Sequence, residues 1–160
     1  MSDFNIRPAV PADVPLILRL IRELAEYEKA ADEVIATEAT LAHSLFHAGA
    51  NAAAVICERD GQPIGFALYF FSYSTWLAKQ GLYLEDLYVT PSARGSGAGK
   101  ALLKYLAGLA VERDCGRFEW AVLNWNTPAI DFYEAAGARP QSEWTTYRLT
   151  GDALTAFAGS

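Results

Sequence analysis

A mixed α/β domain is predicted by three features of the 160-residue sequence. Apolar residues recur at helical spacing in two long segments, Ile17, Leu20, Ile21 and Leu24, then Leu102, Leu103, Leu106 and Leu109. Short runs rich in β-branched and aromatic residues lie between and around them. Two of these runs are joined by Arg59-Asp60-Gly61-Gln62, and Asp-Gly is a strong hairpin signal. The resulting order is β α α β β β α β α β, mostly antiparallel at first and with crossover helices later.

Each element has a local cause. Residues 4–7 alternate and stop at Pro8, giving a short first strand. Asp13 stands where a helix N-cap belongs, with Pro15 in the first turn, where its missing N–H costs nothing. That helix runs to about residue 29. Thr37 caps a second helix carrying Leu41, Leu45 and Phe46. Residues 52–58 and 64–73 form the hairpin, and 82–89 the next strand. After the long helix come a strand over 118–123 and a helix over 126–136 closed by Gly137. A last strand over 144–149 and a terminal helix over 152–158 follow. With no repeat, linker or low-complexity tract, residues 1–160 read as one domain.

The composition narrows the function. A 52% hydrophobic, 20% charged chain is ordinary for a folded protein. No apolar run approaches the ~20 residues of a membrane span, and the first ten residues lack the apolar core of a signal peptide, so a cytoplasmic protein is expected. Cys57 and Cys115 fit neither a disulfide framework nor a zinc knuckle. His43 and His47 are spaced i, i+4 but lack a third ligand motif, so no metal is expected. The net charge of −6 argues against nucleic acid. Carboxylates crowd one segment (Glu23, Glu26, Glu28, Asp32, Glu33, Glu38), and Glu85-Asp86 interrupt an apolar strand. Such a surface attracts a small cation, although the first cluster equally suits a solvated helix face.

Between that strand and the long helix stands Arg94-Gly95-Ser96-Gly97-Ala98-Gly99-Lys100. Alternating glycines let backbone N–H groups converge on an anion; the helix dipole and two cations add positive potential. This is a phosphate cradle. It is one residue short of a Walker loop, and its third glycine is misplaced for a dinucleotide fingerprint.

Val89-Thr-Pro91, two residues, then Arg94-Gly-x-Gly-x-Gly99 resembles the acetyl-CoA loop, Q/R-x-x-G-x-G/A, of the GNAT N-acetyltransferases. Ile6-Arg-Pro-Ala9, Leu24-Ala-x-Tyr-Glu28, Trp76, Tyr83-Leu-Glu-Asp86, Trp125-Asn126 and Phe132-Tyr133 extend the likeness over nearly the whole chain, toward the diamine acetyltransferase branch. Ser74-Thr75-Trp76 and Ala121-Val-Leu-x-Trp-Asn126 are most similar to its thialysine-acetylating members. The resemblance implies a GNAT fold, with a mixed central sheet of about six to seven strands flanked by helices. It implies acetyl-CoA as cofactor, direct transfer to the primary amine of a small cationic substrate, and a homodimer.

The residues make chemical sense of that. An alkylammonium, with a pKa near ~10.4, must lose a proton before it attacks a thioester. Glu85 is the candidate acceptor, with Asp86 expected on the opposite face; the alternative is a solvated strand residue. Tyr133, seven residues past Asn126, is the candidate proton donor to the departing thiolate. Spacing alone also fits a core aromatic. The resemblance places Leu87, Tyr88 and Val89 along the pantetheine arm. It places Arg94, Gly95, Ser96, Gly97, Ala98, Gly99 and Lys100 on the pyrophosphate. Asn126, Thr127, Pro128, Ala129 and Tyr133 would complete the cofactor contacts. Tyr27, Glu28, Trp76, Glu85, Glu119, Trp120, Ala121 and Glu143 would bound the amine. A basic residue of the family helix is Ala136 here, with Arg113 or Arg139 as substitutes, and the stretch before Trp144 is shortened. Two other classes stay open, a non-catalytic acyl-CoA sensor and an acetyltransferase for protein lysines or N-termini.

Overall fold

The computed structural model describes residues 3–160. They form two compact units, one ending at Ala121 and one spanning Val122–Ser160.

The first unit is built on a sheet of strands β1 (Phe4–Pro8), β2 (Ala52–Arg59), β3 (Gln62–Ser74), β4 (Lys79–Val89) and β5 (Phe118–Trp120). The strands lie in sequence order. β1 to β4 are antiparallel, and β5 joins β4 in parallel. Helices α1 (Val14–Tyr27) and α2 (Glu38–Phe46) cover one face. Their Ile17, Leu20, Leu24, Leu41 and Leu45 pack with Ala54, Ile56, Phe66 and Tyr88 of the sheet. Val55, Cys57 and Ala67 alternate with these and bury the other face, where α3 (Ala98–Glu112) inserts Leu102 and Leu106.

Asp13 does begin α1, but its side chain does not cap it. Its carboxylate instead takes two hydrogen bonds from the Arg7 guanidinium (2.8 and 2.9 Å) and one from the Val10 N–H (2.8 Å). The Arg7 hydrogen bond, more than any other influence, holds the Asp13 carboxyl below the usual range. The ion pair ties β1 to the start of α1.

The second unit holds α4 (Thr127–Ala135) and α5 (Gly151–Gly159). Residues 144–149, expected as a strand, are exposed and carry no ladder. Alternating side chains only choose a face; a strand also needs a neighbour for its N–H and C=O groups. Among the described residues the sheet therefore has five strands, fewer than the six to seven expected. The strand expected over 118–123 is also cut to Phe118–Trp120. Its last pair is Leu84 with Trp120, immediately before an irregularity in β4.

Candidate active site

That irregularity organises the site. On β3, Leu68 pairs with Asp86 while its neighbour Tyr69 pairs with Leu84, so Glu85 stands opposite no residue. This is a β-bulge, which adds a residue to one strand and kinks it. Directly paired residues share a face. Tyr83, opposite Phe70 with ring centroids 5.1 Å apart, faces α1, and Glu85 two residues on takes the same side. Leu68 also faces the α1 core, and so does its partner Asp86. The bulge thus turns Glu85 and Asp86 to one face, where simple alternation would have separated them.

Glu119 of β5 lies opposite Tyr83 and joins that side. Glu28, just past the end of α1, comes to it from above. The crowding is electrostatic as well as geometric. Burial, then the charges of Glu85 and Glu28, raises the Asp86 carboxyl from 3.8 to about 6. Burial, then Glu85, raises Glu28. Burial, then Glu85 and Glu119, raises the Tyr83 hydroxyl. A rise of that size on Asp86 means its ionised form costs the fold about 3 kcal/mol above pH 6. The cost fades as pH falls through 6 and is gone below 3.8. A cation placed among these carboxylates would relieve that cost. Asp86 was missed as a site residue because the bulge that turns it is a property of strand pairing.

Beyond the bulge β4 has an open edge. β5 ends opposite Leu84, and among the described residues no strand pairs with Leu87 or Val89 on that side. Thr90 N–H donates to Ile64 C=O (2.9 Å), which makes Phe66–Tyr88 a hydrogen-bonded pair of the ladder. The backbone groups of Tyr88 therefore face β3, and those of Leu87 and Val89 face outward.

The strand runs on through a short turn (Pro91–Ala93) into the glycine loop. Gly95 and Gly97 have φ of +81° and +95°, left-handed values that glycine accepts freely. The first bond of α3 runs from Ala101 N–H to Gly97 C=O (2.9 Å), leaving the N–H groups of Ala98, Gly99 and Lys100 at the open helix end. A strand edge with outward-facing backbone groups, followed by a helix N-terminus with glycine-bent backbone, fits a pantetheine arm ending in a pyrophosphate.

Arg94 differs from the expectation. Its Nε–H donates to Val89 C=O (3.2 Å), and its guanidinium lies 5.1 Å from the Tyr27 ring centroid and 5.5 Å from that of Tyr88. Glu28, Glu85, Glu119 and Asp86 are gathered about the bulge in the middle of β4, with Tyr27 next to Glu28 in the chain. Trp120, paired with Leu84, faces the opposite side of the sheet from Glu119, contrary to its expected place at the amine, and Ala121 follows it. Trp76 is not with them. It lies 79% exposed in the turn between β3 and β4, and the strand from Lys79 to Glu85 spans about 20 Å at ~3.3 Å per residue.

Within the second unit, Asn126 caps α4 by accepting from Ala129 N–H (3.4 Å), with Pro128 in the first turn. Tyr133 lies two turns further on, its ring 5.6 Å from that of Phe132. Glu143 is exposed, in the irregular stretch after α4.

Residues 17–138 match the acetyltransferase (GNAT) family, so the chain belongs to that family; it is an acetyltransferase with acetyl-CoA as its acyl donor. It is 41% identical to the thialysine N-epsilon-acetyltransferase of Sus scrofa over 99% of both chains. It is 34% identical to the L-ornithine N5-acetyltransferase of Arabidopsis thaliana, covering 96% of this chain and 87% of that one. Among solved structures, an integron cassette protein from the mobile metagenome of V. cholerae superposes with a TM-score of 0.83 at 29% identity, over 100% and 99% of the two chains.

Proposed function

We propose that this acetyltransferase acts on the primary amine of a small cationic molecule, thialysine- or lysine-like amino acids first, diamines or polyamines second. The observation that carries the proposal is the gathering of Glu28, Glu85, Asp86 and Glu119 beside the open edge of β4. The family likeness to thialysine- and ornithine-acetylating enzymes supports it.

In this reading Glu28 and Asp86 draw the ammonium group in, with Tyr27, Glu119 and Ala121 bounding it. Glu143 serves the remoter part of the substrate. Glu85 accepts the ammonium proton through water. The freed nitrogen attacks the thioester carbonyl, a C–N bond forms and the C–S bond breaks. The Tyr133 hydroxyl gives its proton to the departing sulfur, and the proton shed by the acetylated nitrogen returns through water to the Tyr133 phenolate. Leu87 and Val89 hold the pantetheine amides by their outward backbone groups, and Tyr88 between them keeps β4 paired to β3. The loop Gly95–Lys100 holds the pyrophosphate, and Asn126, Thr127, Pro128 and Ala129 line the arm. A single domain over 1–160 is supported by a family match that runs from 17 to 138. A homodimer in the cytoplasm completes the proposal; no helix among the described residues is long and apolar enough to cross a membrane.

Gly97→Val tests the cradle. A β-branched residue at φ +95° is strained whatever space surrounds it. The loop must change shape, and acetyl-CoA affinity measured by calorimetry should fall about tenfold or more. Unchanged affinity would remove the loop from the cofactor site.

A further inference from the structure

Arg94 opens the glycine loop, yet its side chain turns back onto the last residues of β4 and the end of α1. The guanidinium donates through Nε to Val89 C=O and rests against the rings of Tyr27 and Tyr88, both within the ~6 Å reach of a cation–π contact. The two rings are held differently. Tyr88 is buried, and its hydroxyl donates to Glu23 (3.0 Å), which is itself paired with Arg19 (3.4 Å). Tyr27 is 40% exposed and is the last residue of α1, with Glu28 next in the chain. Tyr88 is thus a fixed wall, and Arg94 one of the groups that draw the end of α1 toward it.

We propose that Arg94 is a positioning residue for the amine: through Tyr27 it fixes where the Glu28 carboxylate stands relative to Asp86 and Glu85. This rests on the small-amine reading above. An arginine suits the task because its planar group stacks on rings while Nε still donates in the plane; a lysine ammonium has no planar face to stack. The residue that opens the pyrophosphate loop then also sets the geometry of the acceptor site.

The test separates this role from phosphate binding by changing the donor. Acetyl-pantetheine lacks the pyrophosphate and the nucleotide, so a residue serving only those groups is silent with it. Arg94→Gln should raise the amine KM roughly five- to tenfold with acetyl-CoA and acetyl-pantetheine alike, the size of a lost partly exposed cation–π contact, with kcat changed less than about threefold. Arg94→Lys should restore little of it. Tyr27→Leu should raise the amine KM by a similar factor, and adding Arg94→Gln to it should raise KM no further. The same loss should appear in calorimetric binding of thialysine or spermidine to cofactor-free Arg94→Gln protein.

A wild-type amine KM for Arg94→Gln with acetyl-pantetheine, or wild-type amine binding without cofactor, would overturn the proposal and assign Arg94 to the phosphates alone. Additive effects of the Tyr27 and Arg94 substitutions would overturn the route through Tyr27. If the wild-type protein acetylates no amine with either donor, the underlying amine reading itself falls. That outcome is distinct from the others because it is seen without any substitution.

Discussion

Glu85→Gln should lower kcat/KM for the amine about 100-fold at pH 7.5, the scale of a lost general base, while acetyl-CoA affinity changes less than about threefold. Glutamine keeps the size and most of the hydrogen bonding of the side chain but cannot take up a proton. The defect should shrink toward pH 10, where the amine loses its proton to solvent without help. Wild-type enzyme should show a second pH effect with a different cause. Asp86 titrates at about 6 and is ionised above it. As pH falls through 6 the site loses negative charge, so the amine KM rises while the acetyl-CoA KM does not. Initial rates from pH 5 to 10, with each substrate varied in turn, separate the two effects. A Glu85→Gln profile identical to wild type would exclude Glu85 as the base.

Tyr133→Phe should lower kcat about 100-fold near neutral pH, leaving the KM for acetyl-CoA within about threefold. The ring, and its packing on Phe132, stay; only the proton donor goes. A thiol with a pKa near ~8.5 leaves readily as the thiolate once the solution is more alkaline than that, so the defect should narrow above about pH 8.5. A kcat equal to wild type at pH 7 would remove Tyr133 from the chemistry. A kcat unchanged with a tenfold higher acetyl-CoA KM would instead make it a cofactor contact.

The parts of this molecule that depend on local chemistry are readable in the sequence. Ile17, Leu20 and Leu24 announce α1 by spacing, and Asp60-Gly61 announces the β2–β3 turn. Gly95 and Gly97 announce a left-handed backbone ahead of α3, and Asn126 a helix cap. Features that depend on which strand lies beside which are not readable in this way. The bulge at Glu85 exists because Leu68 and Tyr69 of β3 pair with residues two apart on β4. No pattern within 82–89 records that, so Asp86 was expected on the wrong face. The open edge at Leu87 and Val89 depends on β5 stopping at Trp120. Residues 144–149 show the reverse case, alternation of strand type with no ladder partner. Trp76 shows a motif's limit, since its chain position puts it in the β3–β4 turn, far along the strand from Glu85. Arg94 reads as a phosphate cation from its place in the loop, whereas in the fold its guanidinium lies against Tyr27 and Tyr88.

The central claim is acetyl transfer to a small amine, and thiol release from acetyl-CoA measures it most directly. Wild-type protein should be assayed with thialysine, lysine, ornithine, putrescine and spermidine at saturating donor. Amine-dependent release of CoA thiol is predicted, fastest with thialysine or a lysine-like amino acid, with a singly acetylated amine as product. Tight acetyl-CoA binding with no thiol released in the presence of any of these amines would contradict it.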